Sequence, residues 1–517
     1  MKKSKCLLNV LCACSVLLVS IFITACDIPT EEKKLAEEIK RTTELTTPNE
    51  WYNGRFTKDG QVKTYTLQVT KGTRYFIYLN DSEDGDKSKT ADVGMKITHI
   101  DGTKICENYN YASKCYTSPF SFSASGNGVV TIEVASYANY NWENGTGTYA
   151  IKYTSRQEVS QLEEGTWKDD IILSSGQTNK YTIQATGKTR YFIYLDDIDS
   201  GSAGNNKTAD MGLKILHSDG TYISEKYSDV DKCFATPFTF VTTNSEEITI
   251  IAASHANYNW ENGTGTYAIK YTSRPEYDEL PVDEDGWVDD SIIANGQINK
   301  YKLSVTKKTR YFIYLDDIDA GSAGNNKTAD MGLKILYSDG TVISKDYHDA
   351  DKCFATPYTF VATNNDVITI IAASYTNYNW ENGTGTYAIR CTSRSEYDEL
   401  PPDEWVNDKI ISNGQVNKYT IDVTEGKTYS IYLNDIDAGT STSKTADMGL
   451  KIFYDSSSNV DNPYICDQYS KADKCYSTPY TFTAPSDGKI VIVAASYSNY
   501  NWEQGTGTYA IKYTVAE

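Results

Sequence analysis

Apolar residues recur at every second position in short runs along most of the chain. In Lys180–Thr186 (KYTIQAT), Tyr181, Ile183 and Ala185 share one face, and Thr182 and Gln184 the other. That period of two belongs to a half-buried strand, not to a helix. In Thr266–Thr272 (TYAIKYT), Tyr267, Ile269 and Tyr271 point inward and Lys270 outward. MGLKIL alternates Leu213 and Ile215 with Lys214. TRYFIYL (Thr189–Leu195) and ITIIAAS (Ile248–Ser254) are apolar on both faces, as expected of central strands covered on both sides. Asp219-Gly220 supplies the positive φ that a tight hairpin needs. No amphipathic stretch of helix length interrupts the series. Roughly seven or more short strands with such turns predict an antiparallel sandwich.

The pattern is written four times. NYNWENGTGTYAIKYTSR occupies Asn139–Arg156 and again Asn257–Arg274, with variants starting at Asn377 and Asn499. Trp51, Trp167, Trp287 and Trp405 open the units, and Trp142, Trp260, Trp380 and Trp502 lie near their ends, 116 to 122 residues apart. A unit of that length can bury its own core, unlike a solenoid repeat. The predicted fold class is therefore all-β: four tandem antiparallel β-sandwich domains over 49–156, 166–274, 286–394 and 403–517. QEVSQLEEG, PEYDELPVDEDG and SEYDELPPDE follow the first three units. Their acids and prolines predict stiff, self-repelling linkers, so that the domains resemble beads on short rods.

The start of the chain is a targeting segment. Lys2, Lys3 and Lys5 precede an apolar run that closes on Ile23-Thr24-Ala25-Cys26. Those four residues resemble a bacterial lipobox. The resemblance implies a signal peptide over 1–25, lipidation of Cys26, and a polar tether over 26–48. An uncleaved membrane anchor is the alternative. Either way the expected location is the bacterial cell envelope: outer membrane or cell surface, or the periplasmic face of the inner membrane. A net charge of −20 repels phosphate backbones and argues against a nucleic-acid partner.

Each unit opens on a polar G-Q-x-x-x-Y stretch, passes through Ala-Asp before an apolar strand and an Asp-Gly hairpin, and closes on G-T-Y. This order is similar to the bacterial pre-peptidase C-terminal domain, a jelly-roll-like sandwich whose collagen-binding relatives sit on clostridial collagenases. It covers most of each unit. One departure stands: such domains accompany a protease, and here the repeats fill the chain.

Candidate chemistry follows from comparing the units. His99, His217, His255 and His348 are each replaced by Tyr or Ser in other units, which argues against a repeated general base and for a non-enzyme. The acidic loop offers Asp81, Glu83 and Asp92; Asp197, Asp199 and Asp210; Asp317, Asp319 and Asp330; and Asp435, Asp437 and Asp447. Alternate carboxylates beside Gly85, Gly201, Gly321 or Gly439 suit a Ca²⁺ ion, and Asp170, Asp290 and Asp408 could join them. The family resemblance implies the same ion, because some collagen-binding relatives bind calcium near an acidic loop. The alternative is a solvated loop in which the Asp210-type residue caps a strand or turn.

Cys106 with Cys115, and Cys466 with Cys475, flank short turns and predict two local disulfides in an oxidising compartment. Cys391 replaces a strand tyrosine and reads as a small buried side chain. Tyr140 and Trp142, Tyr258 and Trp260, Tyr378 and Trp380, and Tyr500 and Trp502 are the candidate ligand contacts: exposed, they would grip a glycan or peptide; buried, they would close one end of a sandwich. Their alternation predicts that Tyr and Trp point the same way. The expected function is a multivalent extracellular binding lipoprotein for a matrix protein or glycan, with a structural spacer as the alternative.

Overall fold

The structure, a computed structural model, describes residues 42–107, 115–199, 206–226, 233–319, 326–344, 353–438, 444–455 and 463–516. The expected signal peptide over 1–25, Cys26, the expected tether up to residue 41, Gly201, Gly321, Gly439 and His348 lie outside the described residues.

The second unit shows the plan. One sheet runs Val159–Gln161, Thr178–Ala185, Glu246–Ser254, Met211–Leu216, Tyr222–Ser224; the other runs Lys168–Ile172, Gly265–Pro275, Thr189–Asp196, Phe238–Thr242. Every pairing is antiparallel except that of Val159–Gln161 with Thr178–Ala185. The alternation read from the sequence sets the inner faces. Tyr181, Ile183, Leu213 and Ile215 of one sheet meet Ile193, Leu195, Tyr267 and Ile269 of the other in a single core. Each such aliphatic side chain contributes about 1.5–3 kcal/mol on leaving water. Three further cores repeat the arrangement.

The stretches expected to be linkers are a correction. Val159–Gln161 is an edge strand of the second unit's sheet, and Leu162 beside it is buried in that unit's core. Tyr277–Glu279 with Leu280, and Tyr397–Glu399 with Leu400, do the same for the third and fourth units. Thr42–Glu44 with Leu45, from the expected tether, serves the first. The physical reason is that acids on an edge strand can stay in water while one leucine pins the strand to the core. The last strand of the first unit ends at Gln157 and the next begins at Val159, so no spacer remains between them.

Candidate functional site

The aromatic loop follows the central strand that ends at Ser254. Ser254 Oγ donates to Asn262 O at 2.9 Å and to Asp210 O at 3.2 Å, and His255 N donates to Asp210 O at 2.8 Å. The acidic and aromatic loops are thereby joined at one end of the unit. Between these anchors the chain turns through two successive positive-φ residues, Asn257 (55°) and Tyr258 (61°). Asparagine tolerates that region; a bulky tyrosine there is unusual and is sustained by its surroundings. All four units hold it: Tyr140, Tyr378 and Tyr500 have φ of 61°, 62° and 63°.

The turn separates the two aromatics that were expected to share a direction. The tyrosines stand 75–82 % exposed. Each ring meets the edge of the ring at the loop's start, such as His255 for Tyr258 at 6.2 Å between centroids. Trp260 instead folds back, half-buried, with Lys214 Nζ 4.5 Å from its ring centre and its Nε1 donating to Glu261 at 2.9 Å. Lys96 over Trp142 and Lys451 over Trp502 repeat this contact. Trp380 lies against Gly332, where an added Cβ would come within 3.1 Å of the ring. The tryptophans pack, and the tyrosines are presented.

The acidic loop is built around its first carboxylate. Asp197 is buried; its Oδ1 accepts from Asp199 N at 3.1 Å and its Oδ2 from Met211 N at 3.0 Å. Asp317 and Asp435 repeat both bonds, with Asp319 and Met331 and with Asp437 and Met448. Asp81 accepts from Glu83, Asp84 and Val93. The residue that caps the next strand is thus this first aspartate. Asp92, Asp210, Asp330 and Asp447 use their backbone carbonyls to hold the aromatic loop. Among the described residues no three ligating side chains come together as a metal site. In the fourth unit Asp437 lies 3.6 Å from Lys474 Nζ.

Burial raises Asp435 to about 7, helped by Asp437 and Asp447, and raises Asp81 to about 6. The folded fourth unit therefore holds this proton more tightly than the unfolded chain, whose aspartates titrate near about 3.9. The stabilisation is complete below about pH 4 and is lost as pH rises to about 7. We expect the melting temperature of wild type to fall more across this window than that of Asp435→Asn; parallel curves would refute the assignment.

Asp170, Asp290 and Asp408 lie elsewhere. Asp290 accepts two bonds from Arg274 of the preceding unit, both at 2.9 Å, and one from Tyr301 Oη at 2.5 Å. Tyr301 Oη meets Tyr387 Oη at 2.5 Å, and Tyr387 Oη accepts from Asn299 at 2.9 Å. Gln297 completes this buried chain by donating to Asn299 at 2.7 Å. The polar opening of the repeat is therefore an internal hydrogen-bond network. Arg156 with Asp170 and Arg394 with Asp408 are equivalent. Sequence reading missed these partners; the Arg that ends TSR in units one to three was the available signal.

The cysteines also correct an expectation. All seven in the described residues are buried thiols, so Cys106–Cys115 and Cys466–Cys475 are not disulfides. Cys106 donates to Met95 O at 3.6 Å, Cys466 to Gln468 O at 3.2 Å and Cys475 to Ala472 O at 3.1 Å. The thiols are turned to backbone acceptors inside the cores, and burial pushes Cys115 and Cys475 up to about 12. Cys391 is buried in the third core, as read.

No protein-family model and no curated protein matches the chain. Solved structures with similar strands include the CUB1-EGF-CUB2 domains of rat MASP-1 (10 % identity, 68 % of this chain and 99 % of that one, TM-score 0.19). The CUB1-EGF-CUB2 domain of human MASP-1/3 has 10 % identity over 43 % of this chain and 100 % of that one, TM-score 0.13. The M60 catalytic domain with CBM51-1 and CBM51-2 of Clostridium perfringens ZmpB has 12 % identity over 90 % of this chain and 55 % of that one, TM-score 0.14. At such TM-scores nothing about function follows.

Proposed function

We propose that the protein is a non-catalytic, multivalent binding protein of the bacterial cell envelope. Four tyrosines held out on the same unusual backbone turn carry this reading: Tyr140, Tyr258, Tyr378 and Tyr500. An exposed ring flanked by asparagines offers apolar area with hydrogen-bond groups beside it, which suits a glycan or an extended protein such as a matrix component. Four weak sites on one chain gain avidity on a ligand that repeats its epitope. The lipobox-like Ile23–Cys26 supports a lipid anchor at Cys26.

The experiment compares the full chain with a variant carrying Tyr→Ala at all four positions, against immobilised collagen and a glycan array. We expect avidity to fall roughly 100-fold or more. Stability should stay within about 0.5 kcal/mol, because the rings cover little. Undiminished binding by the variant would place the contact elsewhere. Intact mass of the mature N-terminus reads the lipid on Cys26. The absence of spacers between units favours one second reading, a structural spacer, and no binding by wild type to any ligand would select it.

A further inference from the structure

The unit boundaries carry a second device, independent of the tyrosine loops. In the first three units two arginines stand directly opposite each other on neighbouring strands: Arg74 and Arg156, Arg190 and Arg274, Arg310 and Arg394. Like charges facing across a sheet repel, and Arg190 and Arg310 are each only 7 % exposed. Such a pair needs carboxylates, and the junction and the next unit supply them. Arg274 is bound by Asp290, and by Asp278 of the third unit's edge strand. The carboxylate that acts most strongly on Arg190 is Glu276 at the junction, with a smaller contribution from Glu381 in the third unit's aromatic loop. Arg74 has Glu158 and, less strongly, Glu261; Arg310 has Glu396 and, less strongly, Glu503.

The first and fourth units differ from this pattern in complementary ways. In the fourth unit Thr428 and Ala516 occupy the two arginine places in the same register. In the first unit Gly54 stands opposite Tyr149 where Asp170, Asp290 and Asp408 stand opposite Tyr267, Tyr387 and Tyr509. A Cβ at Gly54 would lie 2.3 Å from the Tyr149 ring, so that unit has closed over the vacated place. Among the four units, each arginine pair is followed by a unit that carries the aspartate.

We infer that this paired-arginine seam is a directional joint that locks each unit to the next in one orientation. It makes the array a fixed row of loops rather than a flexible string.

The chain itself provides the test substitutions. Arg190→Thr with Arg274→Ala copies the fourth unit, and Asp290→Gly copies the first. Both are made in the full chain and exposed to a Glu-specific protease that cuts after Glu276, Glu279 or Glu284. We expect cleavage there to rise roughly ten-fold or more, because removing one partner leaves the other buried charge unmatched. Small-angle scattering should show a larger radius of gyration. Wild-type cleavage and scattering in both variants would overturn the seam. Strand content by circular dichroism should be unchanged in at least the Asp290→Gly chain, which keeps both arginines, and that variant alone can decide the question.

Discussion

Gly265→Ala should abolish the fold of the second unit while leaving the others intact. Gly265 is the second glycine of GTGTY, with φ at 146°. An added Cβ would lie 2.5 Å from Ala209 N, 2.7 Å from Thr208 C and 2.8 Å from Ala209 Cα. All three are backbone atoms, and they cannot retreat. Thr208 N and Ala209 N both donate to Thr266 O at 3.0 Å, and Ala209 is fully buried. Strained backbone and a backbone clash together should cost on the order of 4 kcal/mol or more. Gly220 is the control: its φ is 85°, but no atom lies within 4 Å of its added Cβ. Gly220→Ala should cost about 1–2 kcal/mol. Hydrogen exchange of peptides spanning Tyr267–Arg274 in the full chain measures both. Retained protection in Gly265→Ala would show that the turn can shift, contrary to this account. The same approach occurs at Gly147, Gly385 and Gly507, which explains why the Thr-Ala-Asp and G-T-Y segments recur together.

Leu280→Ala should destabilise the third unit by about 2–5 kcal/mol, although the residue lies in an acid- and proline-rich stretch. Leu280 is 4 % exposed, and its N–H donates to Lys302 O at 2.9 Å. Truncating it leaves a cavity under an edge strand of three residues, Tyr277–Glu279. Glu279→Ala on the exposed side should change stability by less than about 0.5 kcal/mol. The effect is best read as faster exchange in Ile298–Val305, the strand it pairs with, since a four-core chain need not melt in one step. An unchanged exchange rate there would return this segment to the role of spacer.

Both residues show where the sequence was legible. Gly265 and Tyr267 could be placed at a turn and on an inner face because their signals are local: positive-φ glycine and period two act between neighbours. The same locality made Tyr181, Ile183, Leu213 and Ile215 recognisable as core. Leu280 was missed because one leucine among acids and prolines has no period. Only its pairing with a strand more than twenty residues away reveals it.

The candidate site divides in the same way. The repeat alone identified the tyrosine and tryptophan of the NYNW loop as candidate contacts, expected to point the same way. Their opposite fates, one exposed and one folded onto Gly332 or beside Lys214, depend on two positive-φ residues and on a strand about 45 residues earlier. The carboxylates were visible as a class, but not their partners. Asp197 is claimed by the amide of Met211, and Asp290 by an arginine of another unit. Composition and period thus determined the all-β class, the fourfold writing and the inner faces, since burial of alternate side chains is a property of each strand. Tertiary structure decided which polar groups meet, because a buried charge takes whichever counter-charge the fold brings to it, however distant in the chain.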